Sequence, residues 1–392
     1  MKYVASTLVL ILMVSTSAAR ADEGDREARR RQVKRRGGSL ATEQAVMAGL
    51  RWLARHQGPD GSWSSSEFDK NCASKSSRCS GYGFTYWDAG VSGLALLAFQ
   101  GAGHTQDQGE FQSVVRKGLG WLRKNQQEEG KLEGAIGYVE EEKGTPKEEW
   151  VYNHAIATMA LCEAYASSGE DSSLRVSAQR AVDLCLRAQN PGWGWRYGIR
   201  TDDNDTSVTG WMVQALRAGK EAGLDVPEDR FEGALASIAE ATNKKGHTGY
   251  RKPNGASSFL PMQRGKYKQI PCMTAVGMLT RLVCGQKRTE KILRKGRSIL
   301  RKSLPAWSSD KMSTVNMYYW YYGTYVMFRV RGNYWKEWNK AMQEALLPSQ
   351  QQEGGAAGSW DPIGEWGIAG GRVYSTAIGV LTLEVYYRHA RN

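Results

Sequence analysis

The chain has 392 residues, of which 41% are hydrophobic, and its 53 Lys and Arg against 40 Asp and Glu give a formal net charge of +13. This hydrophobic content excludes a globally disordered chain and is enough for one large domain or two small ones. The charge is basic without being extreme, and no stretch resembles a nucleic-acid reader module, so we expect no nucleic-acid partner.

The N-terminus has the pattern of a secretory signal. A positively charged start precedes an apolar stretch, residues 4–14, and Ala19 and Ala21 supply the small residues of an Ala-x-Ala cleavage site. The apolar stretch is too short for a stable anchor, since a spanning helix needs about twenty apolar residues. The sequence therefore predicts a signal peptide over residues 1–21 and a secreted or periplasmic protein.

The next segment, residues 22–40, is rich in Arg and Lys and has no apolar face. Runs of like charge are typical of solvated tails. We expect a basic flexible tail here, and it could contact an anionic envelope surface. The rest of the chain, residues 41–392, is expected to form a single domain.

Six cysteines in an exported chain permit disulfides. Cys72 and Cys79 flank a short polar loop, and closing that loop would stabilise the fold by about 2–3 kcal/mol on the chain-entropy model. We predict a disulfide between these two residues. The remaining cysteines lie in apolar helical patterns and are expected to be buried thiols, with their pairing left open: Cys162, Cys185, Cys272 and Cys284.

An internal repeat of helix pairs runs through the chain. The first helix of each pair mixes charged and apolar residues and closes on Gln, Gly and an aromatic residue, whereas the second is apolar nearly all round. The first helices and their closing residues lie within 48–63, 117–134, 181–195, 234–250, 296–309 and 341–360. The second helices are predicted to begin at Trp87, Tyr152, Asp205, Cys272, Asn316 and Ser375. The pattern predicts six outer and six inner helices.

Such helix pairs can form an open solenoid or a closed double ring. A solenoid needs polar terminal repeats, yet the last helix, STAIGVLTLEVYY, is as apolar as the central ones. The sequence therefore favours an all-α closed double ring.

The Gln, Gly and Trp signature at the helix ends resembles the QW repeats of squalene-hopene cyclases and the related repeats of protein prenyltransferase beta subunits. It covers nearly all of the chain from Ala41 onward. The resemblance implies an α6/α6 toroid of the terpenoid cyclase type, with inner helices around a central cavity. We expect a Gln amide to satisfy free carbonyls and a Trp ring to pack over it in three pairs. These structural pairs are Gln57 with Trp63, Gln189 with Trp193, and Gln352 with Trp360.

The stretch TDDNDTSVTGW precedes the third inner helix. Squalene-hopene cyclases carry a D-x-D-D-T-A motif whose central acid protonates an alkene, and Asn204 stands at that position here. An amide cannot serve as this acid. Asp203 and Asp205 remain candidates for a catalytic acid. Capping is the simpler interpretation, because Asp205 or Thr206 before an apolar run is a good N-cap. Similar caps are predicted for the other inner helices: Asp88, Asn153, Thr274, Asn316, and Ser375 or Thr376.

The prenyltransferase resemblance implies a zinc site built from Asp, Cys and His. His154 opens one inner helix and Cys272 another, but no Asp-x-Cys stands at any helix start. The ligand set is incomplete, so we expect no metal and no cofactor. We interpret His154 as a cap or a hydrogen-bonded wall residue.

The fifth inner helix, MYYWYYGTYVMF, is filled with aromatic residues. Some are expected to fill the core, and others to face a cavity in which they could hold an apolar chain, stabilise a cation or stack sugars. The six inner-helix N-termini should converge at one mouth of the cavity and favour a polar or anionic ligand group. The candidate cavity residues are Trp87, Asp88, Asn153, His154, Asp205, Thr206, Asn316, Tyr318, Tyr319, Tyr322 and Ser375.

Three functions remain open from the sequence. The first is an exported binding protein that holds an apolar, amphiphilic or isoprenoid-like small molecule in the aromatic cavity. The second is a terpenoid-cyclase-like enzyme using an Asp acid, although class II cyclases have a second helical domain for which this chain is too short. The third is a polysaccharide-processing enzyme, because (α/α) barrels also host such chemistry. The sequence leaves open whether the protein is catalytic, and its oligomeric state.

Overall fold

The structure is a computed structural model. It describes residues 28, 31–73, 78–137, 150–169, 172–253, 255, 258–259, 267–268, 271–308 and 315–388. The predicted signal peptide, residues 1–21, lies outside the described residues. Within the described part of the chain, no helix has the length and apolar character needed to cross a bilayer.

The helices alternate along the chain between an outer and an inner layer. The outer helices are α1 (Leu40–Arg55), α3 (Gln112–Lys124), α5 (Ser172–Ala188), α7 (Asp229–Glu240), α9 (Lys291–Leu300) and α11 (Gly332–Leu346). The inner helices are α2 (Asp88–Gly101), α4 (Trp150–Ser167), α6 (Thr206–Glu221), α8 (Cys272–Val283), α10 (Met317–Val330) and α12 (Gly367–Leu383). A short helix, α13 (Val385–Arg388), follows the last inner helix. Strands β1 (Ser258–Phe259) and β2 (Tyr267–Lys268) pair antiparallel, with Ser258 opposite Lys268.

The inner layer is a closed ring. Each inner helix contacts the next one in chain order, and α12 contacts α2. Every outer helix packs against the inner helix that precedes it in the ring, which for α1 is α12. The inner helices are mostly buried because they are flanked on both sides and face a common centre. The predicted all-α toroid is confirmed.

Buried tryptophans fasten three of the joints, a joint being the connection from an outer helix to the next inner helix. The indole Nε1 of Trp63, Trp195 and Trp360 donates to a carbonyl in the last turn of the preceding outer helix, at 2.8 Å in each case. The backbone N–H of each Trp donates to a hydroxyl on the following inner helix. The accepting hydroxyls belong to Ser92, Thr209 and Thr376. One residue therefore ties both layers together at each joint.

A glutamine at four joints links neighbouring outer helices. The side-chain Nε2 of each donates to a carbonyl within its own joint and to a second carbonyl in the next outer helix. These residues are Gln57, Gln126, Gln189 and Gln350. For Gln350 the next outer helix is α1, where the carbonyl of Ala45 accepts at 2.8 Å. This bond closes the outer ring.

In the predicted pair of Gln57 with Trp63, the Gln57 amide donates to two carbonyls as expected and the Trp63 ring is fully buried. The other two pairs need correction. The buried ring of the joint that contains Gln189 belongs to Trp195, whereas Trp193 is 40% exposed and contributes its carbonyl. The role predicted for Gln352 belongs to Gln350, and the Gln352 amide donates to the carbonyl of Gln350. Neighbouring residues of one type look alike in sequence, but only one of them reaches its partner.

Two of the six predicted N-caps are confirmed. Asp205 Oδ1 accepts from the backbone N–H of Val208 at 2.8 Å, and Asn316 Oδ1 accepts from that of Tyr319 at 2.8 Å. The remaining candidates lie within the helices rather than at their N-cap positions: Asp88, Asn153, Thr274, Ser375 and Thr376. Helix α8 begins at Cys272 as predicted and α2 begins at Asp88, one residue later than predicted, whereas α4 and α12 begin earlier. In particular, α12 extends back to Gly367 through a kink at Gly371, where φ is 68° and ψ is −167°.

The described part of the basic segment differs from the expected flexible tail. Residues 31–35 are helical, and the side chain of Val33 is 2% exposed. The indole of Trp335 donates to the carbonyl of Arg36 at 2.8 Å, and the amide of Asn339 donates to the carbonyl of Gly37 at 2.8 Å. Two backbone carbonyls thus dock this stretch on α11 and Val33 is buried, which the charge pattern does not reveal.

Candidate functional site

A cavity of about 420 Å³ opens at the end of the ring where the inner helices begin. All six inner helices contribute to its wall, together with the joints that precede them. Its aromatic residues are Trp87, Tyr152, Tyr197, Trp211, Tyr250, Tyr318, Trp366 and Tyr374, and its larger aliphatic residues are Val91, Leu94, Ile156 and Met273. A lining of this kind favours the apolar part of a ligand.

The aromatic residues of the wall brace one another. Tyr318, near the start of α10, has its ring centroid 6.2 Å from that of Trp211 on α6 and 6.3 Å from that of Trp366. Trp87 and Tyr152 meet edge to face on the opposite side, with ring centroids 6.2 Å apart. Such contacts hold the rings in fixed orientations, so the wall is preorganised.

Three polar atoms of wall residues are buried without a hydrogen-bond partner among the described residues. These are the indole Nε1 of Trp87 and the hydroxyls of Tyr318 and Tyr374. An unpaired buried donor costs about 1–3 kcal/mol. A ligand that brings an acceptor to one of these atoms would remove this cost.

A chain of hydrogen bonds leads from a buried carboxyl group to the cavity. The hydroxyl of Ser207 donates to Asp205 Oδ1 at 2.7 Å, and the hydroxyl of Tyr152 lies 2.6 Å from Ser207 Oγ. Since the Ser207 proton is engaged with Asp205, Tyr152 is the donor in the second bond. Ser207 and Tyr152 line the cavity, and Asp205 lies behind them with 1% of its surface exposed.

Burial raises the pKa of Asp205 to about 6, although hydrogen bonds from Val208 and Ser207 oppose this shift. The second carboxyl oxygen, Oδ2, is buried and has no hydrogen-bond partner among the described residues, so the anion is poorly stabilised. Burial and the nearby Asp205 charge raise the pKa of Tyr152 well above its ordinary value. The carboxyl group therefore titrates near neutral pH while the phenol beside the cavity stays protonated.

Two arginines beside the cavity are paired with acidic groups. The Arg196 guanidinium forms an ion pair with Asp203 and lies 5.3 Å from the ring centroid of Tyr197. Arg251 pairs with the same Asp203 carboxylate at 2.8 Å. Of these groups Arg196 lies in the cavity wall, and it also interacts electrostatically with the buried Asp205 carboxyl group.

The structure places three of the sequence-predicted cavity residues in the wall: Trp87, Asn153 and Tyr318. Asn153 also caps the neighbouring helix, because its Oδ1 accepts from the backbone N–H of Gly90 at 2.9 Å. The wall residues that were not predicted from the sequence include Arg196, Tyr197, Tyr250 and Trp366, which lie in or next to the joints. A usable signal was their position in or beside the joints, where WGWRYG and HTGYRK place aromatic and basic residues together.

The other predicted cavity residues face elsewhere. Asp88 Oδ1 accepts from the backbone N–H of Ser65 at 2.7 Å, and His154 Nε2 contacts the carbonyl of Ala181 on outer helix α5 at 3.1 Å. The side chains of the remaining residues lie behind the cavity or between helices: Asp205, Thr206, Asn316, Tyr319, Tyr322 and Ser375. Successive helical residues point about 100° apart, so a correct helix still leaves the inward face undetermined.

The two other positions of the cyclase-like stretch also face away from the cavity interior. Asn204 Oδ1 accepts from the side chain of Asn190 at 2.9 Å, within the joint. Asp203 is held at the rim by Arg196 and Arg251. Both acidic candidates connect to the wall, Asp205 through the hydroxyl groups of Ser207 and Tyr152 and Asp203 through the guanidinium of Arg196.

The predicted disulfide is not formed in the structure. The Sγ atoms of Cys72 and Cys79 are 3.4 Å apart, well beyond the S–S bond length of about 2.05 Å. Cys162, Cys185 and Cys272 are buried free thiols as expected, and Cys284 is a half-buried one.

No protein-family model matches the chain, and no curated protein matches it. Solved structures with a similar fold include an inactive variant of an alpha-1,6-mannanase of Salegentibacter in complex with alpha-1,6-mannotriose. Its TM-score is 0.56 at 11% identity, over 88% of this chain and 99% of that chain. An alpha-amylase from Clostridium perfringens has a TM-score of 0.55 at 12% identity, over 88% and 98%. A type II terpene cyclase from Scytonema has a TM-score of 0.52 at 12% identity, over 88% and 98%. At these identities the likeness shows the α/α toroid fold alone.

Proposed function

We propose that this protein is an exported binding protein that holds an apolar or amphiphilic small molecule, such as an isoprenoid-like chain, in the central cavity. The observation that carries the proposal is the wall itself, in which aromatic and aliphatic side chains from all six inner helices face one preorganised space of about 420 Å³. That volume falls in the range of about 300–1,000 Å³ typical of small-molecule sites.

The rim supports an amphiphilic ligand over a purely apolar one. Arg196 places a guanidinium group in the wall, and the N-termini of the inner helices point to the same end. A carboxylate, phosphate or hydroxyl headgroup would be favoured at this place. The apolar chain of the ligand would then lie deeper, against Trp211 and Tyr318.

A second candidate function, an enzyme that protonates its ligand, is favoured by one specific observation. The hydrogen-bond chain from Asp205 through Ser207 to Tyr152 connects a carboxyl group of pKa about 6 to the cavity. A group of this pKa suits general acid catalysis near neutral pH. A glycosidase-like function is less well supported, since that chemistry uses two carboxyl groups facing the sugar. The described wall offers phenols, indoles and a guanidinium.

Filling the cavity tests the binding function. Ala369 lines the cavity and is half-buried, so Ala369→Trp should occupy ligand space with little effect on the fold. We expect fluorescent long-chain amphiphiles with carboxylate, phosphate or hydroxyl headgroups to bind the wild type. We expect Ala369→Trp to bind them about tenfold more weakly or worse, a loss of about 1.4 kcal/mol.

The matched control is Val176→Trp, which adds the same side chain at a 56% exposed position on outer helix α5. This variant should bind like the wild type, as measured by fluorescence titration. Native mass spectrometry of protein purified from its host envelope should in addition show a bound amphiphile. A wild type that carries no such molecule and binds none of the probes would refute the binding function, as would equal affinity in Ala369→Trp.

A further inference from the structure

Three side chains with metal-binding atoms meet in the joint between α1 and α2. His56 Nε2 lies 3.3 Å from the Sγ atom of Cys72 and 3.3 Å from that of Cys79, and the two sulfurs are 3.4 Å apart. A tetrahedral zinc ion with Zn–S near 2.3 Å and Zn–N near 2.0–2.1 Å would separate such atoms by about 3.5–3.8 Å. A shift of a few tenths of an ångström would therefore admit the ion.

The imidazole of His56 is oriented as a metal ligand. Its Nδ1 lies 2.8 Å from the carbonyl of Trp52, and since a carbonyl only accepts, Nδ1 carries the proton. Nε2 then presents its lone pair to the two sulfurs, as in metal sites where a second group fixes the histidine tautomer. The indole of Trp52 stacks on the ring, with centroids 4.1 Å apart and an interplanar angle of 20°.

Burial of the cluster keeps its groups in the neutral form. His56 is 2% exposed, and burial lowers its pKa to about 4, so the imidazole is uncharged at neutral pH. Cys79 is 4% exposed, and burial together with the neighbouring Cys72 thiol raises its pKa to about 11. A bound cation would deprotonate the two thiols and would leave the imidazole neutral, as in other sites with thiolate and histidine ligands.

We propose that His56, Cys72 and Cys79 bind one Zn²⁺ ion, with a water molecule in the fourth position. Two thiolates and one imidazole select zinc over calcium or magnesium, which prefer oxygen ligands. Among the described residues, this is the one group of three or more His, Cys, Asp or Glu side chains whose ligand atoms lie close enough together to share a metal ion.

The ion would fasten the joint to the start of α12. Residues 80–84 follow Cys79 directly, and they pack on that helix through backbone groups. Arg372 Nε donates to the carbonyl of Ser80 at 2.7 Å, and the backbone N–H of Phe84 donates to the carbonyl of Ala369 at 2.8 Å. Since Ala369 lines the cavity, zinc binding would also hold the cavity wall in position, and this consequence alone rests on the proposed function.

Metal analysis of the purified full chain tests the site. We expect about one zinc per chain in the wild type by plasma mass spectrometry, and less than about one tenth of that in His56→Ala and in Cys79→Ser. The matched control is Cys284→Ser, which removes a half-buried cysteine outside the cluster and should retain the zinc. Cobalt added to chelator-treated wild type should produce a sulfur-to-cobalt charge-transfer band that His56→Ala weakens.

The competing occupant of this place is a disulfide, and the same protein distinguishes the two. Wild type in which Cys72 and Cys79 become alkylated only after reduction, and which contains no zinc, would overturn the proposal. So would reduced wild type that takes up neither zinc nor cobalt. If His56→Ala fails to fold, the zinc content of Cys79→Ser and the cobalt spectrum of the wild type still decide the question. None of these readouts depends on ligand binding in the cavity.

Discussion

We expect Trp195→Ala to lower the free energy of unfolding by about 3–5 kcal/mol. The ring is fully buried in the joint between α5 and α6, so its removal leaves a cavity between the two layers. The substitution also deletes the 2.8 Å hydrogen bond from Nε1 to the carbonyl of Cys185, which leaves that carbonyl unpaired. Equilibrium unfolding in denaturant measures the change.

Trp193→Ala is the matched control, two residues earlier in the same joint. Its ring is 40% exposed, and the contact that Trp193 makes with Gln189 comes from its backbone carbonyl, which the substitution keeps. We expect a change of less than about 1 kcal/mol in this variant. Equal losses in the two variants would contradict the assignment of Trp195 as the structural residue of this joint.

The second expected result is a pH-dependent difference in stability between the wild type and Asp205→Asn. Burial raises the pKa of Asp205 to about 6 in the folded state, against about 3.9 in an unfolded chain. Between these values the folded state binds more protons than the unfolded state. The contribution of Asp205 to the free energy of unfolding is therefore fully present below about pH 4 and is lost as the pH rises through about 6. Relative to Asp205→Asn, the free energy of unfolding of the wild type should fall by about 2–3 kcal/mol between about pH 4 and pH 7.

Denaturant unfolding of both proteins over a pH series measures this difference. Burial also raises the pKa of Asp88 to about 6, but Asp88 is present in both proteins and its contribution cancels. A difference in stability that does not change with pH would show that Asp205 has an ordinary pKa.

Asp205→Ala should lower the free energy of unfolding by a further 1–2 kcal/mol, roughly, because the Val208 N–H and the Ser207 hydroxyl lose their acceptor. Under the second candidate function, Asp205→Asn should abolish turnover and leave ligand affinity unchanged.

The sequence by itself determined the architecture of this protein. The alternation of amphipathic and wholly apolar helices, and the apolar last helix, predicted an all-α double ring that closes on itself. The aromatic start of the fifth inner helix predicted a residue of the cavity wall, Tyr318, and the cap at Asp205 was also predicted correctly. These features were readable because helix periodicity, burial and capping are local properties of a segment.

The tertiary structure decided which of several neighbouring side chains fills a joint, reaches the next helix or faces the cavity. Trp195 rather than Trp193 fills the joint, and Gln350 rather than Gln352 reaches α1, because these choices depend on partners far along the chain. A shift of one residue turns a helical side chain by about 100°, so it decides whether a residue faces the cavity or a neighbouring helix. Sequence proximity suggested that Cys72 and Cys79 bond to each other. Folding adds a third partner, His56 at the end of α1, and so changes the chemistry that the two thiols can perform.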